Sequence, residues 1–253
     1  MANEITKINI FEEISEKLDK YLDIKDVVLE NDFFEVLSDS ASVLKVLKNA
    51  NALIVKKRFQ AFLKGFNGVD KPRDDQLRKL YEYIDNEVKA EFIADIFSKV
   101  LLSNSKLACV IMGSISQKLI ENNKEISHED LICAEAITKF FDYDIRNYKI
   151  ICDYLEDYLK KKKRRKDSPK GFSLDYVFTK YCNGKEDVSF ETLNLTLEKA
   201  IANQLFSKEN EVDLNVDEDN LGMSSADTTE WCYITRPGEQ IYNYILNLEV
   251  FNI

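Results

Sequence analysis

The side chain best suited to acid–base or metal chemistry is the only histidine of the chain, His128. It stands in the segment Ser127-His-Glu-Asp130, which is typical of a helix start in which a hydroxyl and a carboxylate cap the first turn. A catalytic base or metal ligand needs convergent partners, and Cys133 would lie on a different side of that helix. We therefore expect an exposed histidine at a helix start.

Cysteine thiols are the second group that could do chemistry. The five cysteines are widely spaced, odd in number and without a Cys-x-x-Cys pair, so neither a zinc site nor a disulfide framework is indicated. Most of them stand within apolar patterns, which favours buried, reduced thiols. Their positions are Cys109, Cys133, Cys152, Cys182 and Cys232.

Carboxylates alternate between Asp213 and Asp219, as oxygen ligands do in a calcium loop. Glu218 replaces the turn glycine of such a loop, and Ser224 replaces its bidentate glutamate, so the segment is not an EF-hand. We predict a solvated acidic loop and no metal. The carboxylates that could bind a basic partner are Asp213, Asp217, Glu218 and Asp219.

Other signatures of catalysis are missing from the sequence. Gly65 and Gly68 are not followed by the Lys-Ser or Lys-Thr pair of a phosphate-binding loop. A serine nucleophile would have only His128 as its base. The sequence therefore predicts no catalytic residue, no cofactor and no enzymatic activity.

Basic residues cluster in two places. The run from Lys160 to Lys166 has three interpretations. It is a cationic helix end favoured by the helix macrodipole, a site that binds phosphates or an acidic partner, or a nuclear-import signal. It could also dock against the acidic region that follows it in the same chain. The second cluster lies beside the aromatic stripe of a predicted helix over 52–64. The candidate polyanion-binding residues are Lys57, Arg58, Lys160, Lys161, Lys162, Lys163, Arg164, Arg165 and Lys166.

The net charge of -10 is concentrated in the C-terminal region. From Gly171 onward there are five basic and fifteen acidic residues, whereas the preceding residues contain thirty of each. This distribution predicts an acidic C-terminal module attached to an electrically balanced body.

The elements that must position these residues are mostly helices, because apolar residues recur every three or four positions and glycine and proline are few. Asp74–Ser103 has the most regular period and is predicted as one helix. Ser127 begins another helix, and Asp144 begins one that runs into the basic cluster. The remaining predicted helices of this region are Glu4–Asp23, Asp26–Lys48, Ala52–Lys64 and Ser105–Asn122.

The C-terminal region combines helices with strand-forming residues. Ser189–Phe206 has a helical apolar face, and a polar, acidic, hairpin-like segment joins it to the β-prone Trp231–Ile234. Thr235 is a predicted N-cap, with Pro237 in the first turn of a closing helix. This order of helix, helix, hairpin and closing helix is the outline of a winged helix.

The predicted fold class is mainly α, with a helical body followed by a winged-helix-like α+β domain. We place the body at 1–166, with a further break near 65–73, a linker at 167–172 and the acidic domain at 173–253. No segment reaches the about 20 apolar residues of a membrane span, and the N-terminus lacks a signal-peptide profile. We expect a cytoplasmic protein.

Three segments carry a family resemblance: Lys57-Arg-Phe-Gln-Ala-Phe-Leu-Lys-Gly-Phe66, Asp142-Tyr-Asp-Ile145 and Tyr233-Ile-Thr-Arg-Pro-Gly-Glu239. In this order they resemble uncharacterised helical proteins of bacterial prophages and mobile elements, of the abortive-infection-alpha-like type. The resemblance extends over about Phe33 to Ile245 and implies a setting of phage–host conflict. It implies no chemistry.

Three functions remain open. The leading hypothesis is a non-enzymatic protein-interaction or regulatory factor in phage defence or counter-defence, which binds a basic protein surface through its acidic module. The first alternative is a winged-helix nucleic-acid-binding regulator, although the predicted recognition helix carries Glu191 and Glu198 against only Lys199. The second is a membrane-perturbing effector, for which Lys45 and the polar residues of 38–42 interrupt the N-terminal apolar pattern.

Overall fold

The computed structural model describes residues 13–14, 16–18, 20–22, 50–67, 74–122, 124–162, 172, 189–215 and 225–250. The described chain is mainly helical, with a two-stranded antiparallel sheet near its C-terminus. It divides into two compact units, one of Met1–Asp142 with Asn247–Ile253 and the other of Tyr143–Leu246.

The first unit is built from helices. The described residues between 13 and 22 are helical, which agrees with the predicted first helix, while 26–48 lie outside the described residues. Five further helices are described in this unit: α1 (Ala50–Asn67), α2 (Asp74–Tyr83), α3 (Glu87–Leu102), α4 (Lys106–Glu121) and α5 (His128–Thr138). The break predicted near 65–73 separates α1 from α2.

The helices α1 and α4 cross with their backbones in close contact. A Cβ atom on Gly65 would lie 1.8 Å from the carbonyl oxygen of Val110, and one on Gly113 would lie 2.0 Å from that of Phe62. Beside this crossing, the Phe62 ring packs edge-on against Phe97 of α3, with centroids 5.7 Å apart. Glycine is required at both positions because any side chain would push the helices apart.

The single helix predicted over Asp74–Ser103 is wrong, because the structure divides it into α2 and α3. Asn86 is the N-cap of α3, and its side chain accepts a hydrogen bond from the Lys89 backbone N–H at 2.9 Å. Asparagine competes with the helical backbone in this way and favours a new helix start. Ile84 at the break is still buried in the core, so the apolar period continues from α2 into α3.

Two predicted helix starts are confirmed. Ser105 caps α4, and its hydroxyl also donates to Asp142 Oδ1 at 2.5 Å. Ser127 and Asp130 form the predicted capping box at the start of α5, with the Ser127 backbone N–H donating to Asp130 Oδ2 at 3.0 Å. The Ser127 cap is local in sequence, so a short pattern was enough to identify it.

The described part of the second unit contains three long helices and the sheet. Its elements are α6 (Asp142–Lys162), α7 (Phe190–Ala202), β1 (Phe206–Asn215), β2 (Ser225–Ile234) and α8 (Arg236–Val250). The strands form an antiparallel hairpin in which Phe206 is opposite Ile234 and Asn215 is opposite Ser225. Phe172 forms a separate antiparallel bridge with Cys232 of β2.

The helix predicted over Ser189–Phe206 begins as expected, with Ser189 as its cap, but ends at Ala202. Gln204 adopts a positive φ of 62°, in the left-handed region that ends a helix. Leu205 and Phe206 therefore leave the helix and enter the base of the hairpin, where both are buried.

The helix α6 was assigned by sequence to the N-terminal body, but almost all of it lies in the second unit. Asn147 is buried and donates through Nδ2 to the Thr192 carbonyl at 3.2 Å and to Thr196 Oγ1 at 3.1 Å, both on α7. These contacts tie α6 to α7, so the units divide at Asp142 and Tyr143. Within the linker predicted at 167–172, the structure describes only Phe172.

Among the helices within the described ranges, none has the length and apolar character required to cross a bilayer.

We expect Gly238→Ala to destabilise the second unit by about 1–3 kcal/mol, because its Cβ would lie 2.1 Å from the Leu205 carbonyl oxygen. Urea unfolding followed by fluorescence of the single tryptophan, Trp231 in β2, measures this change. Asn243→Ala is the control because Asn243 is exposed on the same helix, α8, and should change the free energy of unfolding by less than about 0.5 kcal/mol. Equal stability of the two variants would contradict the close contact.

Candidate functional site

The acidic hairpin, defined here as 206–234, has two distinct faces because side chains alternate along each strand. The register places Lys208 opposite Cys232 on one face, and Glu209 opposite Trp231 on the other. At the base of the hairpin Phe206 and Cys232 are buried, so their face packs towards the core. The face that carries Glu209 and Trp231 is the outward face.

The outward face combines carboxylates with aromatic rings. Glu209 and Glu211 are exposed, and Trp231 and Tyr233 are partly buried beside them. The indole Nε1–H of Trp231 donates to Glu211 Oε2 at 2.9 Å. Desolvation and the neighbouring carboxylate of Glu209 raise the pKa of Tyr233, so its phenol stays protonated at neutral pH. Carboxylates and aromatic rings are both groups that attract cations.

The only lysine of the acidic hairpin is already paired on the other face. Lys208 Nζ lies 2.9 Å from Glu230 Oε2 and 3.5 Å from Glu198 Oε1. The hydrogen bond to Glu230 raises the pKa of Lys208 and keeps it charged. This cation is therefore engaged on the inner face of the hairpin and, within the described residues, does not pair with the outward carboxylates.

The helix α7, which precedes the hairpin, also presents carboxylates to solvent. Glu191 and Glu198 are exposed on the same side as Leu195, whose surface is 68% accessible. Its lysine, Lys199, lies 2.6 Å from Asp144 Oδ2 of α6 in an ion pair. The outward side of α7 thus offers no cation among its described side chains.

The predicted partner-binding carboxylates fall at and beyond the end of β1. Asp213 lies in β1 opposite Asp227, and the side chains of both are outside the described set. Asp217, Glu218 and Asp219 lie outside the described residues, so their role stays a prediction.

Sequence reasoning missed the outward face because the pairing of its two strands was unknown. Glutamates alternate at positions 209 and 211, and aromatic residues alternate at 231 and 233, which is a recognisable signal in each strand. Only the register shows that the two patterns lie on the same face.

Of the predicted polyanion-binding residues, Arg58 has a structural role. Its guanidinium donates to the Leu101 carbonyl and, at 3.3 Å, to Asn104 Oδ1. The last carbonyls of a helix need such donors, and Arg58 supplies one at the end of α3. Its neighbour Lys57 is exposed on α1.

The basic run that follows α6 is only partly described. Lys160 is exposed and pairs with Glu156 one turn earlier at 3.0 Å. Lys161 and Lys162 belong to the end of α6, and 163–166 lie outside the described residues. A cationic end of this helix agrees with the macrodipole interpretation, while polyanion binding by Lys161, Lys162, Lys163, Arg164, Arg165 and Lys166 stays a prediction.

The histidine lies at a helix start, and the described cysteines lie in the core. His128 is exposed as the first residue of α5, as predicted. Cys109, Cys133, Cys152 and Cys232 are buried thiols, and Cys182 is outside the described residues. Burial raises the pKa of Cys109 to about 11 and that of Cys133 to about 12, which keeps both thiols protonated and poorly nucleophilic. Within the described ranges, no group of three potential ligands could hold a metal ion.

Comparison with protein-family models, with curated proteins and with solved structures gave no match for this chain.

We expect the four buried thiols of a Cys182→Ser variant to react with a thiol reagent only as fast as the protein opens, because burial excludes the reagent and disfavours the thiolate. Mass spectrometry of samples quenched at neutral pH, with and without urea, measures the labelling of each cysteine. The urea-unfolded chain is the control and should be labelled at once. Rapid labelling of Cys109 or Cys133 in the native protein would contradict their burial.

Proposed function

We propose that this protein is a non-enzymatic interaction or regulatory factor that binds a basic protein surface through its acidic hairpin. The observation that carries the proposal is the outward face, on which Glu209 and Glu211 stand beside Trp231 and Tyr233. Carboxylates attract Lys and Arg side chains, and adjacent aromatic rings stabilise a cation by about 0.5–1 kcal/mol at exposed sites.

The charge of the whole acidic hairpin supports the same partner class. Its sequence contains eight acidic residues and one lysine, and that lysine is the paired Lys208. A dense negative field accelerates encounter with a basic protein and disfavours approach by another acidic surface. Asp213, Asp217, Glu218 and Asp219 belong to this field and remain candidates for direct contact with the partner.

A nucleic-acid-binding regulator is the second candidate, because the element order supports a winged-helix-like architecture. Phe172 pairs with β2 as a short first strand would, α7 precedes the hairpin, and the hairpin takes the place of a wing. In such regulators the helix before the wing commonly enters the major groove.

The charges around α7 disfavour this second candidate. DNA binding depends on cations that replace the counterions of phosphates. Here Lys199 pairs with Asp144, Lys208 pairs with Glu230, and the exposed side of α7 carries Glu191 and Glu198. A phosphate backbone brought to this helix would meet carboxylates, so we favour the basic protein partner.

The proposed setting is phage–host conflict, and it rests on the resemblance of the three segments described above to prophage and mobile-element proteins. Deletion of the gene that encodes this protein in its native cell, followed by plating of phage, tests this setting. An unchanged plating efficiency across the phages of that host would contradict it.

We expect a Glu209→Gln/Glu211→Gln variant to bind a labelled arginine-rich peptide roughly tenfold more weakly than the unaltered chain, because two carboxylates at exposed cation sites are lost. Fluorescence anisotropy at low salt measures the affinity. The matched control is Glu82→Gln/Glu91→Gln, which removes the same charge from exposed positions of the first unit and should have little effect.

Two further samples separate the candidate functions. A variant with Asp213, Asp217, Glu218 and Asp219 neutralised shows whether the loop contributes to peptide binding beyond the outward face. A labelled duplex oligonucleotide replaces the peptide in the second sample. Salt-dependent binding of the duplex, strengthened by neutralising the carboxylates and unmatched by any binding of the peptide, would overturn the proposal in favour of the regulator.

A further inference from the structure

The bridge between Phe172 and Cys232 reveals which backbone groups of the hairpin point outwards. The Phe172 N–H donates to the Cys232 carbonyl at 3.1 Å, and the Cys232 N–H donates to the Phe172 carbonyl at 3.0 Å. Cys232 therefore directs both backbone groups away from β1. Its opposite residue, Lys208, must also direct its N–H and C=O away from β2, because the two residues of a non-hydrogen-bonded pair face opposite edges.

The same alternation extends along β1. At the base of the hairpin, the Thr235 N–H donates to the Leu205 carbonyl at 3.1 Å. The odd-numbered Leu205 therefore directs its carbonyl away from the outer edge. The backbone N–H and C=O groups of Glu209 and Glu211 therefore bond to β2. Those of Asn210 and Val212 point away from β2, as those of Lys208 do. Every second residue of β1 thus presents an N–H and a C=O to its outer edge.

No described strand pairs with the outer edge of β1. The sheet contains only β1 and β2 within the described residues, and the one further bridge is on the far side, at Cys232. Asn210 is exposed, and the surface of Val212 is 55% accessible. An open edge of this kind is a template for strand addition.

We propose that the partner's basic segment binds as an extra antiparallel strand along the outer edge of β1, between Lys208 and Val212. This inference rests on the proposed function and specifies how the basic partner is held. Backbone hydrogen bonds would form at Lys208, Asn210 and Val212, and strand addition of this type gains its affinity from the main chain. Side chains of the added strand opposite Glu209 and Glu211 would lie on the outward face, about 4.5–5.5 Å away between Cβ atoms.

Charge complementarity determines the sequence pattern of the occupant. Residues of the added strand that face Glu209 and Glu211 alternate with those that bond to the edge, so Lys or Arg is required at every second position. A second copy of this chain is a poor occupant, because the two β1 strands would bring carboxylates of like charge together. The partner is therefore a protein segment with basic residues at every second position.

The first test uses a labelled peptide of alternating arginine and valine, with N-methyl groups on either the valines or the arginines. In the proposed register the valine N–H groups bond to β1 and the arginine N–H groups point away from it. N-methylation of the valines should weaken binding by more than about tenfold, because several hydrogen bonds are lost, while N-methylation of the arginines should leave binding unchanged.

The second test uses proline substitution at two residues that are opposite each other, Val212 of β1 and Thr228 of β2. Both direct their N–H groups to an outer edge, so neither substitution removes a hydrogen bond of the hairpin. Val212→Pro should weaken binding of the unmethylated peptide by about tenfold, and Thr228→Pro should not. Fluorescence of Trp231 verifies that each hairpin is folded, and the methylated peptides remain decisive if a variant is not.

Each outcome has a distinct meaning. Equal binding of both methylated peptides, or loss of binding with Thr228→Pro alone, overturns the edge inference while the proposed function stands. Failure of the unaltered chain to bind any arginine peptide, with retention of duplex oligonucleotide, overturns both. Selective loss with methylated valines and with Val212→Pro supports the added strand.

Discussion

The candidate site depends on one close backbone contact at the base of the acidic hairpin. Gly238 approaches the Leu205 carbonyl so closely that a Cβ atom would lie 2.1 Å from the oxygen and 2.9 Å from the Tyr148 hydroxyl. The buried Tyr148 hydroxyl donates to the Gly238 carbonyl at 3.0 Å. Thr235 reinforces the contact, because its hydroxyl accepts from the Gly238 N–H at 3.2 Å and donates to the Gln204 carbonyl at 2.6 Å. The ends of α7 and β2 and the starts of β1 and α8 are thus joined at one point.

This joint matters because the hairpin beyond it has little core of its own. An isolated two-stranded hairpin is at best marginally stable in water. Phe206 and Cys232 are buried at the base, whereas the described β1 side chains from Ser207 to Val212 are all exposed. Beyond the base, the backbone hydrogen bonds between β1 and β2 and the ion pairs of Lys208 hold the hairpin together. The described carboxylates of β1 are therefore exposed to solvent.

Local patterns were predictable from sequence, and features that depend on distant residues were not. The caps at Ser127 and Thr235 were found because each requires only residues within one turn. Periodicity wrongly joined α2 to α3, since the Asn86 cap interrupts the helix without disturbing the order of buried residues. The placement of α6 in the second unit depends on contacts such as Asn147 with Thr192, which no short window contains. The structural role of Arg58 was not predictable for the same reason, because its acceptor at Leu101 belongs to another helix.

The carboxylates of the acidic hairpin have two physical consequences that act together. An open strand edge tends to pair with any exposed strand, including a copy of itself, and charged residues along the edge are a common defence. In the proposed complex the same charges would also select among partners, because Glu209 and Glu211 would repel an acidic strand and attract a basic one. In that complex the backbone edge would recognise extended shape with little regard to sequence, whereas the carboxylates beside Trp231 and Tyr233 would recognise positive charge. Binding that requires both properties would reject most folded proteins, whose strands are already paired, and most disordered basic segments, whose residues do not alternate.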